Sequence, residues 1–515
     1  MVRFMTVEEA VALVKDNDTL ASEGFVKHIL AEPLLAALEQ RFLKTGSPRN
    51  LTLVYGAGEG FGVGTGVDHL AHEKLLKRVV AAHWNMSPTL GKLAADGKIE
   101  AYNLPQGVMA QLYRDTAAGK TGTVSHVGLK TFADPRLDGG KLNSRTTEDL
   151  VEVVTLGGRE QLFYRAIPFN CCFLRGTYAD EKGNISMERE GMTGCNRVIA
   201  QAVKQNGGTV IVQVNQVVKE GSLNAQLVQL PHILVDVVVV VPMAEHMSEV
   251  EPERIDVHAG TRRVPTNSLP PLPLDERKII GRRGAMALAP DTVVNLGIGM
   301  PESIAAVANE EGIGDYMTLT VEAGAVGGVP GSSLLFGVSV NPECIMDQAA
   351  IFDFYDGGGL DLAFLGLAEC DAQGNVNVSK MGPRITGCGG FINITQNSKK
   401  LFFCGTFTAK GLKINAKDGK LLIAQEGSVK KFLKKVDHIT FSGEYAAAMG
   451  QPVLYITERA VFDLRKDGLH LIEVAPGIDI EKDILPHMEF KPVIKETPRP
   501  MDARLFRAEL MGLGK

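Results

Sequence analysis

An α/β fold of two tandem, related domains with mostly parallel open sheets flanked by helices is predicted, on three observations. At 515 residues the chain is too long for one hydrophobic core. Short Val/Ile-rich runs alternate with helical stretches, as in AQAVKQNGG followed by TVIVQV, which is the pattern of strands covered by helices. The third observation is internal duplication.

Asp18-Thr-Leu-Ala-Ser-Glu-Gly-Phe25, followed by Pro33 and an alanine-rich helix, echoes Asp291-Thr-Val-Val-Asn-Leu-Gly-Ile-Gly-Met-Pro301 and its helix. FLRGTYADEKGNIS from Phe173 echoes FLGLAECDAQGNVNVS from Phe364, 191 residues on as counted from Asp180 to Asp371. Phe163-Tyr164 and Phe354-Tyr355 keep that offset, whereas Asp18 and Asp291 lie 273 apart. The first half therefore carries 82 extra residues within Tyr55 to Glu160. Copies this long are duplicated domains, not solenoid units. Three prolines in Asn267-Ser-Leu-Pro-Pro-Leu-Pro-Leu-Asp275 fit neither a helix interior nor a central strand. The division expected is residues 1–266, a linker at 267–275, and 276–515. A helix over Glu276 to Leu288 and a strand over Val293 to Leu296 open the second domain. A catalytic cleft is expected between the halves.

Composition excludes several classes. A net charge of −6 with no long Lys/Arg run argues against nucleic acid. Few aromatics (6%) and 56 glycines suit tight strand-to-helix turns. Seven cysteines without CxxC spacing read as reduced thiols, not a disulfide frame or zinc site. The N-terminus lacks the apolar core of a signal peptide, and His232 to Met243 is too short to span a bilayer, so it reads as a buried strand. A soluble, cytoplasmic protein with no membrane partner is expected.

Four segments carry chemistry. In YMTLTVEAGAVGG a β-branched run ends at Val321 and is followed by Glu322, Ala323 and Gly324, at the strand end where parallel sheets bind ligands. A carboxylate there is open to a substrate, although an isolated Glu at such a place is more often a solvated one. VVNLGIGMPESIA is a strand, a GxG turn and a helix, whose free amides suit an anion or oxyanion; Glu302 replaces the third glycine of a dinucleotide loop. Asp371-Ala-Gln-Gly-Asn375 has a copy at Gly183-Asn184 and reads as a structural turn. Thr386-Gly387-Cys388-Gly389-Gly390 invites a ligand onto its backbone.

Other features have plainer readings. Asp68-His69-Leu-Ala-His72-Glu73 has no third ligand in view, so no metal is expected. Cys171 and Cys172 read as packing residues. The pairs Lys399-Lys400, Lys430-Lys431 and Lys434-Lys435 read as solvated faces.

The set GIGMP, TVEAGAVGG, QGNVNVSK and TGCGGFINITQ, in this order and spacing, resembles family I CoA-transferases, in their propionate/lactate (acetate) branch. AAHWNMSP around Trp84, NLPQGV at Asn103, GGKLN, FDFYDGGGLDL, ITERAVF and EVAPGIDIEKDIL extend the likeness over most of the chain. The resemblance implies the NagB/RpiA/CoA-transferase-like fold, and Glu322 as the nucleophile. It implies oxyanion donors at Ile298 and at Gly389 or Gly390. It further implies a CoA-binding set of Gly297, Gly299, Met300, Pro301, Asn375 and Gly387, and Gln106 on the substrate carboxylate. CoA would be substrate, no cofactor would be held permanently, and a homo-oligomer (dimer or tetramer) is expected. The partners implied are acyl-CoA and short-chain carboxylic acids. An acyl-CoA hydrolase would share nearly every motif, and a CoA or sugar-phosphate sensing module is a non-enzymatic alternative on the same fold. After Gly60 the loop Phe61-Gly-Val-Gly-Thr-Gly-Val67 is more apolar and flexible than the branch pattern, which leaves propionate, acetate, butyrate or a bulkier acid open.

Overall fold

A computed structural model describes residues 2–242, 255–265 and 271–514. Positions 267–270 of the expected linker and Met243 lie outside the described residues. The chain forms two compact units, one of residues 1–264, 321–354 and 380–393, the other of 265–320, 355–379 and 394–515.

The first unit is built on eight strands: β1 (Arg3–Met5), β2 (Thr19–Ser22), β3 (Leu51–Tyr55), β4 (Leu76–Ala81), β5 (Glu100–Asn103), β6 (Cys171–Arg175), β7 (Thr209–Val214) and β8 (Val237–Val240). Their order is β1-β8-β7-β6-β2-β3-β4-β5, and every pairing is parallel. The central strands are covered on both faces: TLAS of β2 and CCFLR of β6 are buried at every position. Burial pushes the Cys171 and Cys172 thiols far up, leaving them inert packing groups. The core gathers Leu20, Leu53, Val79, Phe173 and Ile211 against Leu34, Leu35 and Leu38 of helix α1 (Glu32–Thr45). Val237–Val240 is the strand expected within the valine-rich run, buried over Val237 to Val239 and exposed at Val240, and the Asp236 carboxylate before it accepts from the Val210 amide at 2.9 Å.

In the second unit, β9 (Thr292–Leu296), β10 (Met317–Thr320), β11 (Leu362–Gly366), β12 (Lys400–Cys404) and β13 (Val453–Ile456) pair in parallel in the order β10-β9-β11-β12-β13. This repeats β3-β2-β6-β7-β8. The copies then diverge. The first adds β4 and β5 beyond β3, both inside the 82-residue excess. The second adds antiparallel β14 (Ala460–Arg465) and β15 (Gly468–Val474) beyond β13. Asp275 caps the helix over Glu276–Ala285, accepting from the Lys278 amide at 3.0 Å, an interaction of about 1 kcal/mol. Gly281 of that helix lets the helix over Glu302–Glu310 approach closely, since a Cβ would sit 2.7 Å from Ser303 Oγ. Phe364 stacks on Phe402 at 4.5 Å in the core beneath.

Among the described residues, no helix is long and apolar enough to cross a membrane.

Candidate active site

Glu322 stands at the corner of a tight turn. The Gly324 amide donates to Val321 O at 2.9 Å, and the Val321 amide to Ala325 O at 2.9 Å, so the chain reverses around residues 322 and 323. Gly324 has φ +120°, and a Cβ there would fall 2.0 Å from Met346 O, so only glycine fits. Val321, Ala323 and Ala325 are buried in a cluster with Phe25, Val26, Ala57 and Phe336. With its flanks fixed in this way, Glu322 is left half-buried. The β-branched run thus does more than end: it anchors the turn that presents the carboxylate.

The glycine-rich segment is latched beside this turn. The Thr386 carbonyl accepts from the Trp84 and Asn85 amides at 2.9 and 3.1 Å. Asn103, fully buried at the end of β5, accepts from the Cys388 amide at 3.0 Å and donates through Nδ2 to Ala81 O and Ala82 O at 2.9 and 2.6 Å. One side chain therefore ties the turn to the sheet with three hydrogen bonds. A Cβ at Gly390 would lie 3.5 Å from Glu322 Cγ and 3.1 Å from the Phe352 ring, which places Gly390 directly against the carboxylate's stem.

The geometry separates the two glycines that sequence left as alternatives. The Gly389 amide donates to Ala82 O at 2.8 Å, so its hydrogen is engaged and Gly389 is withdrawn as an oxyanion donor. Gly390 precedes the helix over Phe391–Asn397, and its amide donates to no backbone carbonyl among the described residues. Gly387 has φ +79°, and a Cβ there would fall 2.6 Å from Ala82 O, so glycine is required for the loop to pack.

Gln106 is brought to the same place. It begins helix α2 (Gln106–Ala117), donates its amide to Gly389 O at 3.0 Å, and holds Oε1 3.4 Å from the Cβ position of Gly389. The residue is 2% exposed, and Nε2 has no partner among the described residues. His83, which no local signal singles out inside AAHWNMSP, puts its Cδ2 edge 3.7 Å from that same Cβ position. Burial lowers its pKa to about 4, so the imidazole is neutral.

Gly297, Ile298, Gly299, Met300, Pro301 and Asn375 belong to the second unit. The Gly297 amide donates to Phe364 O at 2.8 Å, while the Ile298 amide has no backbone acceptor among the described residues and its side chain is exposed. Gly299 has φ +89° with open space where a Cβ would project. Asn375 is a correction. Its Nδ2 donates to Asp371 at 3.0 Å and its Oδ1 accepts from the Gly443 amide at 2.9 Å, so the carboxamide is fully used in holding a turn. Asn184 and Asp180 form the same pair at 2.8 Å.

Three further readings change. Lys431 is 7% exposed, with its pKa lowered to about 8 by burial, so it is no solvated face. The loop after Gly60 is tied down, not flexible: Thr65 Oγ1 accepts from the Phe61 amide at 2.8 Å, Asp68 from Gly64 at 2.9 Å, and Glu32 from Gly66 at 2.7 Å. His69 lies between Glu39 at 2.7 Å and Glu32 at 3.1 Å, which the local spacing of Asp68 to Glu73 did not suggest.

Similarity to known proteins shows the family. The family model described as Coenzyme A transferase matches residues 4–241. The acetate CoA-transferase YdiF of Escherichia coli (strain K12) is 44% identical over 509 residues, 99% of this chain and 96% of the relative. The caffeate CoA-transferase of Acetobacterium woodii is 43% identical over 519 residues, 100% and 99% of the two chains. A crystal structure of the acyl-CoA transferase YdiF apoenzyme from E. coli O157:H7 superposes with TM-score 0.93 at 43% identity, covering 99% of this chain and 97% of that one. Its thioester complex with CoA gives 0.92 at 42%, again over 99% and 97%. The chain belongs to the family I coenzyme A transferases and is a transferase enzyme.

Proposed function

We propose that the protein moves CoA between short-chain carboxylic acids by a ping-pong route through Glu322. A carboxylate does not exchange directly for a thiolate, and a covalent intermediate divides the reaction into easier steps. Glu322 attacks the acyl-CoA carbonyl; the tetrahedral oxyanion collapses, the C–S bond breaks, and an acyl-glutamyl anhydride and CoA thiolate form. The thiolate attacks the glutamyl carbonyl, the C–O bond of the anhydride breaks, and the first acid leaves a glutamyl-CoA thioester. A second acid runs the sequence backward and departs as its thioester.

The observation that carries this reading is the fixed turn at Glu322 beside Gly390, whose amide has no backbone acceptor among the described residues. A backbone donor aimed at a developing oxyanion is worth about 10²–10³ in rate. In the second unit, the GxG turn at Gly297, Gly299, Met300 and Pro301 is assigned to the thioester end of CoA, with Ile298 as a further amide donor. Gln106 Nε2, otherwise a buried donor without a partner, is assigned to a substrate carboxylate oxygen. The relative solved as a thioester complex with CoA supports the thioester intermediate.

The test is borohydride treatment with and without acyl-CoA. The thioester is reducible and the free carboxylate is not, so inactivation is expected only when acyl-CoA is present. Protection by acyl-CoA contradicts the scheme.

A further inference from the structure

Gln106 and His83 flank Gly389 from two elements, yet only the carboxamide has a task in the transfer itself. The His83 ring is only partly open to solvent. Its Nδ1 is sealed against Gly58, where a Cβ would come within 2.6 Å of that nitrogen, and Nδ1 has no hydrogen-bond partner among the described residues. A buried polar atom left unpaired is destabilising, so its retention needs a reason. The Cα–H of Gly58 suits a lone pair at Nδ1 and not a second hydrogen. A neutral imidazole has one N–H, and this contact places it on Nε2. Nε2 is bonded to Cδ2, the edge turned toward Gly389, one residue along the chain from Gly390 and the stem of Glu322. Consecutive Cα atoms are about 3.8 Å apart, the reach of two or three bonds of an acyl chain from the reacting carbonyl.

We propose that His83 is a specificity-determining residue of the acyl pocket, its Nε2–H donating to an oxygen carried on C2 or C3 of the acid. The proposal rests on the reading of Glu322 as nucleophile. It selects hydroxy acids over their plain counterparts. An acid with a second carboxylate gains no ion pair, because the ring carries no charge at neutral pH.

The test compares kcat/KM for lactate and 3-hydroxypropionate with that for propionate, acetyl-CoA being the donor, in wild type, His83→Leu and His83→Gln. The hydroxy-to-plain ratio is expected to fall about 10-fold in His83→Leu, the equivalent of one hydrogen bond. It should be restored in good part by His83→Gln, whose amide reaches the Nε2 position. It should also stay constant from pH 6 to 9 in wild type. A ratio unchanged in His83→Leu, or lost equally in both variants, overturns the proposal. If the leucine variant does not fold, His83→Ala gives the same ratio without added bulk. Acyl-CoA-dependent borohydride inactivation in each variant keeps the two readings apart: its absence in wild type indicts Glu322, whereas its presence with an unaltered ratio indicts His83 alone.

Discussion

Two turns in the first unit carry the same three residues, Thr193-Gly194-Cys195 and Thr386-Gly387-Cys388, and they are built alike. In each, the cysteine amide donates to a buried side chain: Glu23 at 2.7 Å in one, Asn103 at 3.0 Å in the other. Each is met by a glutamine that begins a helix, although Gln348 donates its amide to the glycine before the cysteine, Gly194 O at 3.1 Å, and Gln106 to the glycine after it, Gly389 O at 3.0 Å. The two part at the residues after the cysteine. Asn196 succeeds Cys195, fully buried and donating to Arg175 O at 3.1 Å, and the Gln348 carboxamide oxygen is taken by the Cys195 thiol at 3.2 Å. Two glycines succeed Cys388, and Gln106 Nε2 is left unpaired. The strand exits differ in the same sense, TLVYGAG placing Gly56 where TLTVEAG places Glu322. A duplicated scaffold thus holds one closed copy, filled by its own side chains, and one open copy. The open one has a carboxylate, that of Glu322, where the other has hydrogen.

The comparison breaks first at Glu322, the proposed nucleophile. Glu322→Ala is expected to lose about 10⁴-fold or more in transfer rate while folding normally. Glu59→Gln, a change of the buried acid that accepts from Ser22 at 2.5 Å in the closed copy, should retain covalent thioester formation. Equal losses would erase the distinction between the copies. Asn103→Ala removes all three hydrogen bonds of the latch, and a misplacement of the turn by about 1 Å costs near 10²-fold in kcat. Steady-state kinetics showing wild-type kcat would mean the latch is dispensable. Gly390→Ala crowds Phe352 at 3.1 Å and Glu322 at 3.5 Å, and about a 10-fold loss in kcat is expected.

The smallest effect concerns the closed copy. Burial raises Glu23 to about 8, countered in part by the Cys195 amide. Between its unfolded value near 4.5 and about 8, the native state keeps a proton the unfolded chain has released. The stability contributed below pH 4.5 is therefore lost as pH rises toward 8, at a slope of up to roughly 1.4 kcal/mol per unit. Glu23→Gln should flatten this slope, so that denaturant midpoints of mutant and wild type separate in the mutant's favour between pH 5 and 8. Parallel profiles would show that Glu23 ionises freely.

The strand pattern, the duplicated strand order and the tight turn that carries Glu322 were legible because they depend on local signals: β-branched runs, repeated strings, a carboxylate among glycines. The choice between Gly389 and Gly390 was not. It turns on a hydrogen bond to Ala82, some three hundred residues away in sequence. Asn103 and His83 were hidden inside motifs for the same reason, since their partners are remote. Asn375 misled because an Asp-x-x-x-Asn turn looks identical whether it serves a ligand or itself, although its copy at Asn184 held the answer. Lys431 was misread because a lysine pair gives no sign that one member points inward.

Peptide mass mapping after incubation with acyl-CoA, at acidic pH to preserve thioesters, tests the central claim most directly. A CoA-sized adduct is predicted on the peptide bearing residue 322 and nowhere else, and it should vanish in Glu322→Ala. An adduct on another side chain, or full turnover with none, would contradict the assignment.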